Sequence, residues 1–105
     1  MPKMLSNREL SSFFDQVAMI LNAGISPMEG ISIMLEDTTS AEGQEILGRI
    51  AEQVDDGQSF HTSISAAEVF PKYALDMIEI GEQSGRLEEV MRSLSDYYER
   101  EESIA

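Results

Sequence analysis

Residues 80–87, Ile-Gly-Glu-Gln-Ser-Gly-Arg-Leu, place a carboxylate directly after one glycine and three residues before another. Glu82 falls on the apolar arc of its predicted helix, between Leu75 and Ile78, where a carboxylate needs a partner. Two roles are open for it. Glu82 accepts backbone N–H groups at the start of a neighbouring helix, or it binds a cation or a partner protein. It is the residue that we name as a candidate ligand for a weakly bound divalent cation.

The two glycines of this segment have different predicted roles. A glycine inside a helix costs about 1 kcal/mol relative to alanine, so Gly81 needs a compensating reason, and we expect another helix to approach closely there. Gly85 is expected to end the helix in the left-handed conformation. Because Gly85 is explained as a helix stop, the Gly-x-x-x-Gly spacing of Gly81 and Gly85 is weak evidence for a helix-pairing motif.

No other segment has the spacing of a catalytic or metal site. A histidine zinc site needs more than one imidazole, and His61 is the only histidine. Gln58 stands where a Glu-x-x-His pair would need its glutamate. Ser59 and Ser63 are near His61, but nothing around them resembles a nucleophile elbow. We therefore interpret His61 as exposed and non-catalytic, and the sequence predicts no enzyme and no cofactor.

The charge balance restricts the class of partner. Twenty acids against seven bases give a net charge of −13. Nucleic acid and anionic lipid attract basic surfaces, so neither is expected to bind directly. A basic protein or a divalent cation fits better. The chain has no cysteine, and no apolar run approaches the roughly 20 residues that span a bilayer.

Cap and stop residues predict six helices and therefore an all-α, six-helix antiparallel bundle, with residues 1–105 as one domain. Ser6 and Ser26 each open a capping box, and Pro71 stands at a helix start. The predicted stops are Gly24, Gly57 and Gly85. The helices cover about residues 7–23, 27–37, 41–56, 60–67, 71–84 and 86–102.

Three apolar residues lie off the core-facing stripes of their predicted helices. Met19 points away from the apolar face of the first helix, Ile33 from that of the second, and Ile80 lies off the main arc of the fifth. Scattered apolar residues are common on protein surfaces. If these three cluster in the folded chain, they mark a partner interface.

Several segments in this order resemble the F domain of the platform proteins of type II secretion and type IV pilus assembly. The opening helix and the turn after it are similar. In the family the proline follows the Ala-Gly-Ile or Ala-Gly-Val turn directly, whereas here Ser26 stands between Ile25 and Pro27. The glycine turn around Gly57 and the pair Phe70-Pro71 also match. The resemblance is carried by residues 13–27, 54–60, 70–71, 80–87 and 97–99.

The resemblance implies a non-enzymatic, cytoplasmic six-helix domain of a bacterial inner-membrane protein that carries two such domains and membrane helices. Domains of this kind tend to pair, and they contact the assembly ATPase and other platform proteins. This chain is then a fragment that touches the membrane only through helices absent from it, and it resembles the first copy. The family's signature glutamate falls on Glu82, and no catalytic residue is implied.

Two other hypotheses stay open from the sequence. One is a free-standing acidic helical adaptor, which a stop codon directly after residue 105 would favour. The other is a helical metal protein or enzyme that uses Glu82 and neighbouring acids. The sequence does not separate secretion from pilus assembly.

Overall fold

The computed structural model describes residues 3–103 and is all-α over that range. Each helix packs against the next along the chain, and the last packs against the first, so the six helices form a closed ring. This confirms the predicted all-α bundle. The helices are α1 (Asn7–Asn22), α2 (Pro27–Asp37), α3 (Ala41–Asp55), α4 (Phe60–Ser65), α5 (Lys72–Ser84) and α6 (Leu87–Ser103).

Serine hydroxyls cap the first four helices, because each accepts a backbone N–H three residues on. At α1 the box is complete, since the Glu9 carboxylate also accepts the Ser6 N–H at 2.8 Å. At α2 the Ser26 hydroxyl accepts the Glu29 N–H at 3.2 Å. The predicted second box is therefore only half formed in the described structure. Glu29 extends into solvent, where water competes for its carboxylate.

Two helix ends differ from the prediction. The fourth helix stops at Ser65, two residues early, and the chain then turns through Glu68 at a φ of 59°. Pro71 is the N-cap of α5, and the helix itself begins at Lys72. Gly24 and Gly57 follow α1 and α3 with positive φ, as predicted for helix stops.

Large apolar side chains from all six helices fill the centre of the ring. Burial of this apolar surface is the main stabilising contribution to such a bundle. Edge-to-face and tilted ring contacts connect Phe14 to Phe13, Phe70 and Tyr98. The largest fully buried side chains are Phe14, Phe60, Leu10, Ile31, Ile50, Ile64, Ile78, Met91, Leu94 and Val69.

Antiparallel packing of α1 on α6 closes the ring. The Ser11 hydroxyl donates to the Ser95 carbonyl at 2.9 Å, and the Ser95 hydroxyl donates to the Ser11 carbonyl at 3.0 Å. Nearer the end of α6, Arg8 and Glu102 form an exposed ion pair at 3.7 Å. These contacts join residues more than eighty positions apart, so the two ends of the chain hold each other in place.

Candidate functional site

The carboxylate of Glu82 caps the N-terminus of α4. Its Oε2 accepts the Phe60 N–H at 2.8 Å, and its Oε1 accepts the His61 N–H at 3.0 Å. The Ser59 hydroxyl accepts the next N–H, from Thr62, at 3.0 Å. All three leading N–H groups of α4 therefore have an acceptor, which a helix start would otherwise lack. The first of the two roles predicted for Glu82 is confirmed.

Gly81 lies against α6. A Cβ built on Gly81 would be 2.7 Å from Val90 Cγ2 and 3.0 Å from Val90 Cβ, distances that a real side chain cannot keep. The glycine is buried, and the Val90 side chain occupies the space that a Cβ on Gly81 would need. The predicted reason for a glycine here, close helix approach, is confirmed.

Gly85 ends α5 in the left-handed conformation, at a φ of 74°. This turn lets the Gly85 N–H and the Arg86 N–H both donate to the Gly81 carbonyl, the latter at 2.8 Å. Residues 80–87 therefore join three helices. Glu82 accepts hydrogen bonds from the start of α4. Gly81, which has no side chain, lets α6 pack closely against α5, and Gly85 forms the turn between α5 and α6.

His61 differs from its prediction as an exposed residue. Its side chain is 23% exposed, because α4 packs against α5 at this point, and its Nδ1 lies 3.8 Å from Glu79 Oε2. No sequence pattern indicates this pair, since the two residues are eighteen positions apart. A contact of this length between partly exposed groups contributes little to stability.

Within residues 3–103, no group of three or more His, Asp and Glu side chains is arranged as a metal site. Both oxygens of Glu82 already accept a backbone N–H. A cation at Glu82 would therefore have to compete with the N-terminus of α4, which also favours the negative charge.

The three apolar residues singled out in the sequence have different environments. Met19 and Ile80 are exposed, at 60% and 58%, whereas Ile33 is half-buried. Met19 and Ile33 belong to the contacting helices α1 and α2, but Ile80 lies on α5, which packs on α4 and α6. The ring therefore places Ile80 apart from the other two. Their assignment to a partner interface stays a prediction.

Two features of the folded domain were not predicted from the sequence. One is a groove formed by α1, the α2–α3 connection and α3. The other is a row of tyrosine rings, in which Tyr73 contacts Tyr97 and Tyr97 contacts Tyr98, with centroids 5.1 and 4.9 Å apart. Each depends on which helices become neighbours, and no local pattern encodes that.

Comparison with known proteins shows the family. The model of the family described as type II secretion system (T2SS), protein F, matches residues 13–105. The chain belongs to this family. Within the described residues, no helix is both long enough and apolar enough to cross a membrane.

Curated relatives carry names from both secretion and pilus assembly. The type II secretion system protein F of Aeromonas hydrophila is 33% identical over 84% of this chain and 23% of its own length. The type IV pilus assembly protein PilC of Thermus thermophilus is 27% identical over 90% of this chain and 23% of its own length. The protein transport protein HofC homolog of Escherichia coli is 33% identical over 70% of this chain and 19% of its own length. The chain thus spans about a quarter or less of the length of these relatives.

Proposed function

We propose that this chain is a scaffold and interaction domain, without catalytic activity, of the inner-membrane platform in type II secretion or type IV pilus assembly. The family match over residues 13–105 is the observation that carries the proposal. The names of the relatives include both machines. In this proposal the chain is one of two cytoplasmic domains of a longer protein whose membrane helices lie outside it.

The use of the signature residues supports a structural, non-enzymatic role. Glu82, the carboxylate best placed by sequence for chemistry, holds the start of α4. Gly81 and Gly85 serve helix packing and the turn. The function of the domain is then to present a rigid surface. The proposed mechanism is mechanical: the assembly ATPase moves or rotates the platform, and this bundle is one of the points where force is passed on.

The proposed partners are the assembly ATPase, other platform proteins and a second copy of the domain. The net charge of −13 supports a partner whose contact surface is basic, because opposite charges attract across an interface. Met19, Ile33 and Ile80 are the candidate apolar contacts. The proposal includes no cofactor, and it places the domain on the cytoplasmic face of the membrane.

The test is charge reversal in the full-length gene, in the bacterium of origin. Exposed acidic clusters are reversed one at a time, and secretion or piliation is measured beside the thermal stability of each isolated domain. We expect at least one cluster whose reversal abolishes assembly while the domain keeps its stability. Normal assembly after reversal of every exposed cluster would overturn the proposal.

The cation alternative has a separate test. Metal content and calcium-dependent thermal stability are measured for the wild type and for Glu82→Ala. We expect no stoichiometric metal and no calcium-dependent shift in either protein. A stoichiometric ion that is lost in Glu82→Ala would replace this part of the proposal with a metal-binding role.

A further inference from the structure

A groove of about 580 Å³ opens on the side of the ring formed by α1, the α2–α3 connection and α3. Its floor consists of Phe13, Met34 and Leu47, which keep 9%, 6% and 8% of their surface exposed although they belong to the core. The half-buried side chains of Leu5 and Ile46 extend this apolar lining towards solvent. The floor is therefore apolar surface of the core itself that remains open to a partner.

The walls of the groove come from a part of the chain that lacks bases, and two of its acids, Glu9 and Asp37, line the groove. Residues 9–48, which contain α2 and most of α1 and α3, hold seven acids and no lysine, arginine or histidine. Arg8 is the one base that lines the groove, and it faces Glu102 in the ion pair described above. The acids of this stretch are Glu9, Asp15, Glu29, Glu36, Asp37, Glu42 and Glu45.

Asp37 makes the rim of the groove favourable for a cation. It is the last residue of α2, where the unpaired carbonyls of the helix end add partial negative charge, and Glu36 precedes it. Among residues 3–103, no base forms an ion pair with Asp37. An apolar floor beside an uncompensated acidic rim is complementary to a segment that carries bulky apolar residues next to lysine or arginine.

We propose that this groove binds a basic amphipathic helix of a partner protein. The apolar side chains of that helix pack on Phe13, Met34 and Leu47, and its lysine or arginine side chains face Asp37. Such a helix carries its apolar anchors at intervals of three and four residues, the usual arrangement for a helix that binds in a groove. The inference rests on the proposed function only in treating the chain as an interaction domain.

The probe is a fluorescent synthetic peptide of about 18 residues, with leucines at helical spacing on one face and lysines elsewhere. A scrambled peptide of the same composition is the peptide control. Fluorescence anisotropy gives Kd for the 105-residue chain and four variants. Asp37→Lys and Ile46→Gln alter the groove. Asp55→Lys and Leu75→Gln make matched changes outside it. Asp55, like Asp37, is the last residue of its helix, and Leu75, like Ile46, is a half-buried aliphatic residue packed against the core.

We expect the amphipathic peptide to bind at least about tenfold more tightly than the scrambled one, a difference of about 1.4 kcal/mol. Asp37→Lys and Ile46→Gln should each raise Kd by about tenfold, and the two control variants by less than about twofold. Equal binding of both peptides, or equal losses in groove and control variants, would reduce the effect to non-specific attraction and overturn the proposal.

A second copy of the chain in the groove is the competing occupant. If Ile46→Gln converts a dimer into a monomer in light scattering while the peptide fails to bind the wild type, the groove is a self-association surface and the proposal is wrong. Because the probe is synthetic, this test can fail while binding to the assembly ATPase succeeds, so the two proposals are judged separately.

Discussion

At the residue scale, Glu82 is bound to α4 through two charge-assisted hydrogen bonds, which are stronger than bonds between neutral groups. A neutral glutamine at this position keeps one carbonyl acceptor but turns an N–H₂ group towards the second backbone N–H. One backbone N–H of α4 then faces the N–H₂ group of the glutamine and loses its hydrogen-bond acceptor. The shape of the side chain is unchanged, so the variant isolates the role of the carboxylate.

We therefore expect Glu82→Gln to lower the free energy of unfolding by roughly 1.5–3 kcal/mol, the usual value for hydrogen bonds to a charged group. Urea unfolding followed by circular dichroism measures it. Glu79→Gln is the matched control, on the same helix three residues earlier and half exposed, and should change stability by less than about 0.5 kcal/mol. Wild-type stability in Glu82→Gln would contradict the structural role of this residue.

Tyr98 provides a pH-dependent prediction. Burial raises its pKa to about 12, and the neighbouring Tyr97, Tyr73 and Glu101 act in the same direction. The unfolded chain has a tyrosine pKa of about 10. Because the folded pKa is the higher one, this contribution to stability is complete below about pH 10 and is lost as the pH rises towards 12. The stability of the wild type should fall more steeply across that window than the stability of Tyr98→Phe. Parallel pH profiles of unfolding would refute this.

At the element scale, two helical glycines allow a paired prediction. Gly81 touches Val90, whereas a Cβ on Gly48 of α3 would meet nothing within 4 Å. Alanine improves helix propensity by about 1 kcal/mol at either position. At Gly81 the added methyl group also forces α5 and α6 apart, and overpacking of this kind costs about 1–3 kcal/mol.

The two substitutions should therefore act differently. Gly48→Ala should raise the thermal midpoint, and Gly81→Ala should leave it unchanged or lower it. A stabilisation of Gly81→Ala as large as that of Gly48→Ala would show that the close contact with Val90 is not tight in solution.

Most helix boundaries could be predicted from the sequence because they are set by local chemistry. Serine caps, a proline start and glycine stops act within one turn of the residue that carries them. The end of α4 could not be predicted in this way. Glu68 has a positive φ without being glycine, and no sequence pattern indicates that conformation for a glutamate.

At the scale of the whole molecule, the site could be predicted only in part. The apolar surroundings of Glu82 indicated that it needs a partner, but the partner's identity depends on the packing of α4 on α5. The groove depends in the same way on how α1 and α3 both pack against α2. The sequence around a residue can therefore indicate that it needs a hydrogen-bond partner, but which group becomes that partner depends on the tertiary structure.

Closure of the ring explains why the domain can act as one rigid unit. α1 and α6 join the two ends of the chain, and residues 80–87 join α4, α5 and α6. A load applied to one helix is then shared by its neighbours through packed side chains. This rigidity is what a platform domain needs if it passes force between an ATPase and the membrane.

The proposal that this domain is a contact point for the assembly ATPase is tested by a pull-down of the ATPase from the same system with the 105-residue chain. The measurement is made at low and at moderate salt. We predict retention of the ATPase that weakens as salt increases, because acidic faces form the contact. No retention at low salt, by a chain whose circular dichroism shows the helical fold, would contradict the claim.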